Sequence, residues 1–88
     1  MNEHAIWTLS EEDFEEITNL YEKKLALENL AKILGSTNQE LYNKVIADYG
    51  KTMREFSDWW RTNSMKYNWE GNNWRVDFIN KQILLVGE

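Results

Sequence analysis

Two long runs of helical periodicity, residues 11–34 and 38–66, are joined only by Gly35-Ser36-Thr37, and that short link constrains the fold more than any other feature. Helices joined so tightly lie antiparallel, as an αα-hairpin. The first run opens on Ser10, a helix N-cap whose hydroxyl can accept from the backbone N–H of Asp13. Leu9 and Phe14 occupy the staple positions, and Glu11, Glu12 and Asp13 put negative charge where the helix dipole favours it. Phe14, Ile17, Tyr21 and Leu25 share one stripe, and Leu20, Leu27, Leu30 and Leu34 an adjacent one. That apolar arc is wider than one partner helix needs. Gly35 is expected to end the helix.

The second run has a capping box at Thr37 and Glu40, with Ser36 and Gln39 as a one-residue alternative. Its apolar residues, from Leu41 and Tyr42 through Phe56, Trp59 and Trp60 to Tyr67, fall within roughly 140° of helical arc. On the opposite face Lys44–Asp48, Lys51–Glu55 and Arg54–Asp58 have (i, i+4) spacing for ion pairs. Gly50 is the weak point, and a bend or a close helix crossing is expected there. After residue 67 the period changes. Asn68-Trp69-Glu70-Gly71-Asn72-Asn73 is a turn cluster, and Trp74, Val76 and Phe78 then alternate with Arg75, Asp77 and Ile79. A two-residue Asn80-Lys81 turn would pair Phe78 with Ile83 and Val76 with Leu85 in a hairpin over 74–86. Ile79, Leu84 and Val86 are left on its other face, in need of cover. Residues 4–9 read as a strand able to extend the sheet. The expected fold is α+β, a single domain over 1–88 in which an antiparallel two-helix hairpin packs on a small antiparallel sheet, in the order β-α-α-β-β.

Composition excludes several functions. The 88 residues hold no cysteine, so disulfides, thiolate catalysis, iron–sulfur clusters and Cys-based zinc sites are out. The net charge of −5 has the wrong sign for phosphate backbones, and the basic residues are interleaved with acids, so no nucleic-acid partner is expected. No basic n-region precedes an apolar stretch at the start, and no run is long enough for a membrane span. A soluble protein of a reducing compartment, most simply the cytoplasm, is expected. All the excess negative charge lies in residues 1–35, with eight acidic residues against three basic ones.

Chemistry-bearing patterns are sparse. Glu12 and Glu16 lie one turn apart, but no histidine joins them at metal-ligand spacing, and the run reads as a dipole complement on a solvated face. His4 is the only histidine and has no evident nucleophile beside it. The serines lack a nucleophile-elbow context, and the four glycines stand apart rather than forming a phosphate loop. No catalytic residue, cofactor or metal is assigned, and the chain reads as a non-enzyme. The five tryptophans are the sharpest signal. Their first role is core area in a small domain, and whichever of Trp59, Trp69 and Trp74 stays partly exposed is a candidate anchor for a protein partner. The segment Ile83-Leu84-Leu85-Val86, at or near a sheet edge, is a candidate for strand addition by an extended peptide.

Several segments together resemble a known family. They are Leu20-Tyr21-Glu22-Lys23-Lys24-Leu25-Ala26-Leu27, Leu30-Ala31-Lys32-Ile33-Leu34, Glu40-Leu41-Tyr42, Phe56-x-x-Trp59-Trp60, Lys66-Tyr67-x-Trp69-Glu70, and Trp74-x-Val76-Asp77-Phe78 with Ile83-x-Leu85-Val86. Over residues 10–86 they are similar to the small CXXX-repeat peptide modification system proteins, short bacterial accessory proteins encoded beside a radical-SAM maturase and a Cys-repeat precursor peptide. The resemblance implies an accessory role, recruiting the precursor peptide, its maturase or both, and it supplies no catalytic residues. An alternative is a small acidic inhibitor that occupies a basic surface of its partner. That binding would weaken with salt and fail when Glu11, Glu12, Glu15 and Glu16 become Gln. A third reading is a homodimer formed through the wide apolar arc of the first helix.

Overall fold

The computed structural model describes residues 3–35 and 38–87, which form β1 (Glu3–Thr8), α1 (Glu11–Leu34), α2 (Gln39–Lys66), β2 (Trp74–Asp77) and β3 (Gln82–Val86). The two helices are an antiparallel hairpin packed on a three-stranded antiparallel sheet of order β1-β3-β2. Ser10 caps α1, its hydroxyl accepting from the Asp13 N–H at 3.1 Å, and both Leu9 and Phe14 pack in the core as a staple requires. Gly35 ends the helix with φ 44°.

The cap of α2 differs from the expected capping box. Asn38 fills the position, its side-chain oxygen accepting from Leu41 N–H at 3.1 Å. Asparagine is as good a cap as serine, and it stands one residue nearer the first apolar position. Ser36 and Thr37 lie outside the described residues. Nor does Gly50 mark a close helix crossing: α2 runs unbroken through it, and an added Cβ would meet only the Arg54 side chain, at an ordinary 3.7 Å. Among the described residues the expected Lys44–Asp48 and Lys51–Glu55 pairs do not close to ion-pair distance, and Asp58 pairs with Arg61 instead of Arg54. Between helices, the Tyr49 hydroxyl donates to Glu28 at 2.8 Å, and Lys24 reaches the same carboxylate at 3.0 Å.

The C-terminal hairpin pairs two residues out of the expected register, with Val76 opposite Ile83 and Trp74 opposite Leu85. The cause is Asp77. Its carboxylate accepts from the backbone N–H groups of Ile79 and Asn80 and from the Asn80 side chain, which bends the chain one residue after the strand. The loop is therefore Phe78–Lys81, with Lys81 rather than Asn80 at positive φ, 56°. A slip of two keeps every side chain on its face, so Trp74, Val76, Ile83 and Leu85 still look toward the helices. Phe78 leaves the strand and packs against Tyr21, ring centroids 4.9 Å apart.

The core sits where the sheet meets the sheet-proximal ends of the helices. Leu9, Ile17, Trp59, Trp69, Val76 and Ile83 form its buried cluster, with Ile17 and Ile83 fully enclosed. Each such aliphatic burial contributes about 1.5–3 kcal/mol. The Tyr67 hydroxyl donates to the buried Asp13 at 2.7 Å, tying the end of α2 to the start of α1. On the far face of the sheet the Arg75 guanidinium grips the Glu3 carboxylate with two hydrogen bonds. Arg75 and Ala5 both flank Leu84, so this pair straps β2 to β1 across the central strand and supplies some of the cover Leu84 needs. Ile79, at 90% exposure, has none. No helix of the described residues is long and apolar enough to cross a membrane.

Candidate functional site

Trp59 and Trp60 are consecutive in α2, so their side chains leave the helix about 100° apart. Trp59 points into the core and is 7% exposed, while Trp60 lies half-buried on the flank, edge-on to it at 5.1 Å. Trp69, at 8% exposure, packs against Trp7, Trp59, Trp60, Tyr67 and Trp74, with centroids 6.0–6.4 Å apart. Trp74 is half-buried, stacks nearly parallel to Trp60 at 6.2 Å, and donates its indole N–H to the Glu70 carbonyl at 2.8 Å. That bond and the stack fix the ring in place. Gly71 makes the turn beneath it, with φ 76°, and a Cβ there would lie 2.5 Å from the Leu85 side chain. The positive φ is what favours glycine here, while the tip of the Leu85 side chain would have to shift to admit a Cβ.

Beyond Trp60 the packing opens into a groove of about 340 Å³. One wall is Tyr21, Phe56 and Trp60 from the helices, and the other is Trp74, Arg75, Val76 and Phe78 from β2 and its loop. On the helices the apolar surface continues away from the sheet. Leu25 lies one turn beyond Tyr21, while Tyr49 and Ile46 lie seven and fourteen residues before Phe56 and Trp60.

β2 also carries unpaired backbone. The Val86 N–H donates to the Asn73 carbonyl at 2.9 Å, which sets the phase of the antiparallel ladder. By alternation Arg75 and Asp77 bond to β3, and Trp74 and Val76 present their N–H and C=O groups outward. β2 is an edge strand, and its outward groups lie beside the aromatic groove. β1 is the other edge, but its ladder is broken by a bulge at Ile6, between Ala5 and Trp7.

The residues expected to contact a partner therefore separate. Trp59, Trp69 and Ile83 are core, and of the three tryptophans only Trp74 lines the groove. Leu84 and Val86 lie on the far face, and Leu85 is packed under Gly71. Strand addition along Ile83–Val86 is closed, because β3 is central and bonded by β1 on one side and β2 on the other. Tyr21, Phe56, Trp60 and Phe78 were not expected as site residues. Their i, i+4 spacing on α2 (Phe56, Trp60) read as core packing, and only the length of the helices relative to the sheet shows that the core runs out beneath them.

The electrostatics around the sheet are those of fixed local pairs. The hydrogen bond from Arg75 holds the Glu3 carboxyl below its ordinary value and raises the guanidinium. Asp77 is lowered chiefly by the Asn80 side chain, and Glu28 by the Tyr49 hydroxyl and then by Lys24. No group of three or more His, Asp or Glu side chains among the described residues is arranged to hold a metal ion. No family model, no curated protein and no solved structure matches this chain.

Proposed function

We propose that this chain is a non-catalytic binding protein that takes an extended peptide onto the edge of β2. The observation that carries the reading is the coincidence of an unpaired strand edge at Trp74 and Val76 with an aromatic groove on the same side. An added strand would bond to the outward backbone groups and send alternate side chains toward Trp60, Phe56 and Tyr21. Backbone bonds give such binding its affinity and the groove its selectivity, with little dependence on salt. The family resemblance makes the Cys-repeat precursor peptide of a radical-SAM maturase the first ligand to test, and recruitment by raised effective concentration the first role.

The test is a fluorescence titration with synthetic peptides tiled along such a precursor, at two salt concentrations. One peptide should bind at both. Trp60→Ala, and more mildly Trp60→Leu, should weaken it by about tenfold or more, as expected of an aromatic anchor. Ile33→Ser, on an exposed site near the other end of α1, should leave it unchanged. Absence of any binding peptide, or folded Trp60 variants that bind like wild type, sinks the proposal.

A further inference from the structure

β2 and the loop after it set three apolar side chains along the aromatic groove at two-residue intervals, Trp74, Val76 and Phe78. The outer two are large rings and the middle one is small. Each outer ring is held by a ring from the helices. Trp74 lies nearly parallel to Trp60 at 6.2 Å, and Phe78 packs on Tyr21 at 4.9 Å and on Phe14 at 6.1 Å. No ring contact joins the Trp60–Trp74 pair to the Tyr21–Phe78 pair among the described residues, and both pairs line the groove. Val76, itself buried, and Phe56, edge-on to Trp60 at 6.4 Å, complete the apolar lining.

This lining offers little to a charged side chain. Its one ionised group is Arg75, whose guanidinium reaches across β3 to the Glu3 carboxylate. A charge placed among the rings would lose its hydration without compensation. An apolar cavity of about 150 Å³ takes a benzene ring. A groove of about 340 Å³ therefore has room for one large side chain and for part of the strand that carries it. The ladder says which position of that strand supplies the side chain. The outward N–H and C=O groups belong to Trp74 and Val76, so in an antiparallel addition the ligand residues bonded to them lie directly opposite, with side chains on the same face. Opposite Trp74 a ligand side chain meets a ring already stacked on Trp60. Opposite Val76 it meets the gap.

We propose that this edge selects its peptide by a single residue, a large uncharged apolar side chain such as Leu, Met or Phe, set opposite Val76 and seated between the two ring pairs. The inference rests on peptide addition at β2 and adds the class of sequence that the edge takes. Residues two positions before and after this anchor face Trp74 and Phe78, whose rings fill the space, so they are free to vary. Phe56 is the helix-wall residue outside both pairs, and it limits how deep the anchor reaches.

The experiment is selection of random phage-displayed heptapeptides on the intact chain, followed by calorimetric titration of the synthetic winners and their single substitutions. The winners should align on one large apolar residue and shift the backbone amide resonances of Trp74 and Val76. Replacing that anchor with Ala or Lys should weaken binding by about tenfold or more, whereas Ala two positions to either side should change it less than about threefold, as for an anchor ringed by near-neutral contacts. Phe56→Ala, which deepens the gap, should weaken a Leu-anchored peptide and favour its Trp-anchored counterpart, shifting the preference by about tenfold. Phe56→Leu should move it the same way by less. Winners that need two apolar residues equally, or that bind as well with Lys at the anchor, would overturn the proposal while leaving strand addition standing. So would a folded Phe56→Ala protein that keeps the wild-type preference. No winner at all, or winners that leave the β2 resonances unmoved, would overturn strand addition and this selection with it.

Discussion

Thr52 sits in α2 with no exposure, and its hydroxyl is among the buried polar atoms without a hydrogen-bond partner. A hydroxyl sealed in apolar packing forfeits its hydration and gains nothing in return. Valine has nearly the same shape and the same branching at Cβ, so Thr52→Val should stabilise the fold by about 1 kcal/mol, read from chemical denaturation. A loss of stability would show that the hydroxyl has a partner. Trp59 and Trp69 differ in kind, although their indole N–H groups are also unpartnered and buried. Their neighbours are other indole rings, whose π faces are weak acceptors. Composition announces such residues as core, because rings this large must find cover in 88 residues. It does not say which indole reaches the surface, and that depends on where the sheet stops along the helices.

At the scale of elements, the Phe78–Lys81 loop shows how one side chain resets a register. Asp77 holds it through three hydrogen bonds, and the Asn80 side chain chiefly lowers the carboxyl. A carboxyl lowered on folding adds stability that is present above its unfolded value, about 3.9, and is lost as pH falls through the folded value. Asp77→Asn keeps an acceptor but no charge. It should therefore melt lower than wild type at neutral pH, with the gap closing as pH falls below about 4. A gap that persists to acid would assign the effect to turn geometry instead. The helices, by contrast, were legible almost to the residue, because Ser10, Gly35 and the unbroken apolar spacing all point to one reading. The hairpin was legible as to face but not as to register. Asn-Lys at 80–81 resembles a two-residue turn, and an aspartate that caps three residues downstream leaves no mark in periodicity. Strand order was beyond the sequence altogether, since nothing local tells β3 that β1 will pair on its open side.

In the whole molecule, long helices stand on a short sheet. The structure measures 44 × 27 × 21 Å, so much of the hairpin's length extends past the strands. The aromatic groove follows from that mismatch. On one flank aromatic side chains outrun the sheet that would cover them. A peptide seated on β2 would complete the sheet and cover that flank in one step. The most direct test is backbone amide hydrogen exchange, with and without the peptide that binds. Trp74 and Val76, whose N–H groups point outward, should exchange quickly in the free protein and about tenfold more slowly in the complex, with β1 unchanged. Protection appearing on β1, or none at Trp74 and Val76 despite saturation, would contradict strand addition at this edge.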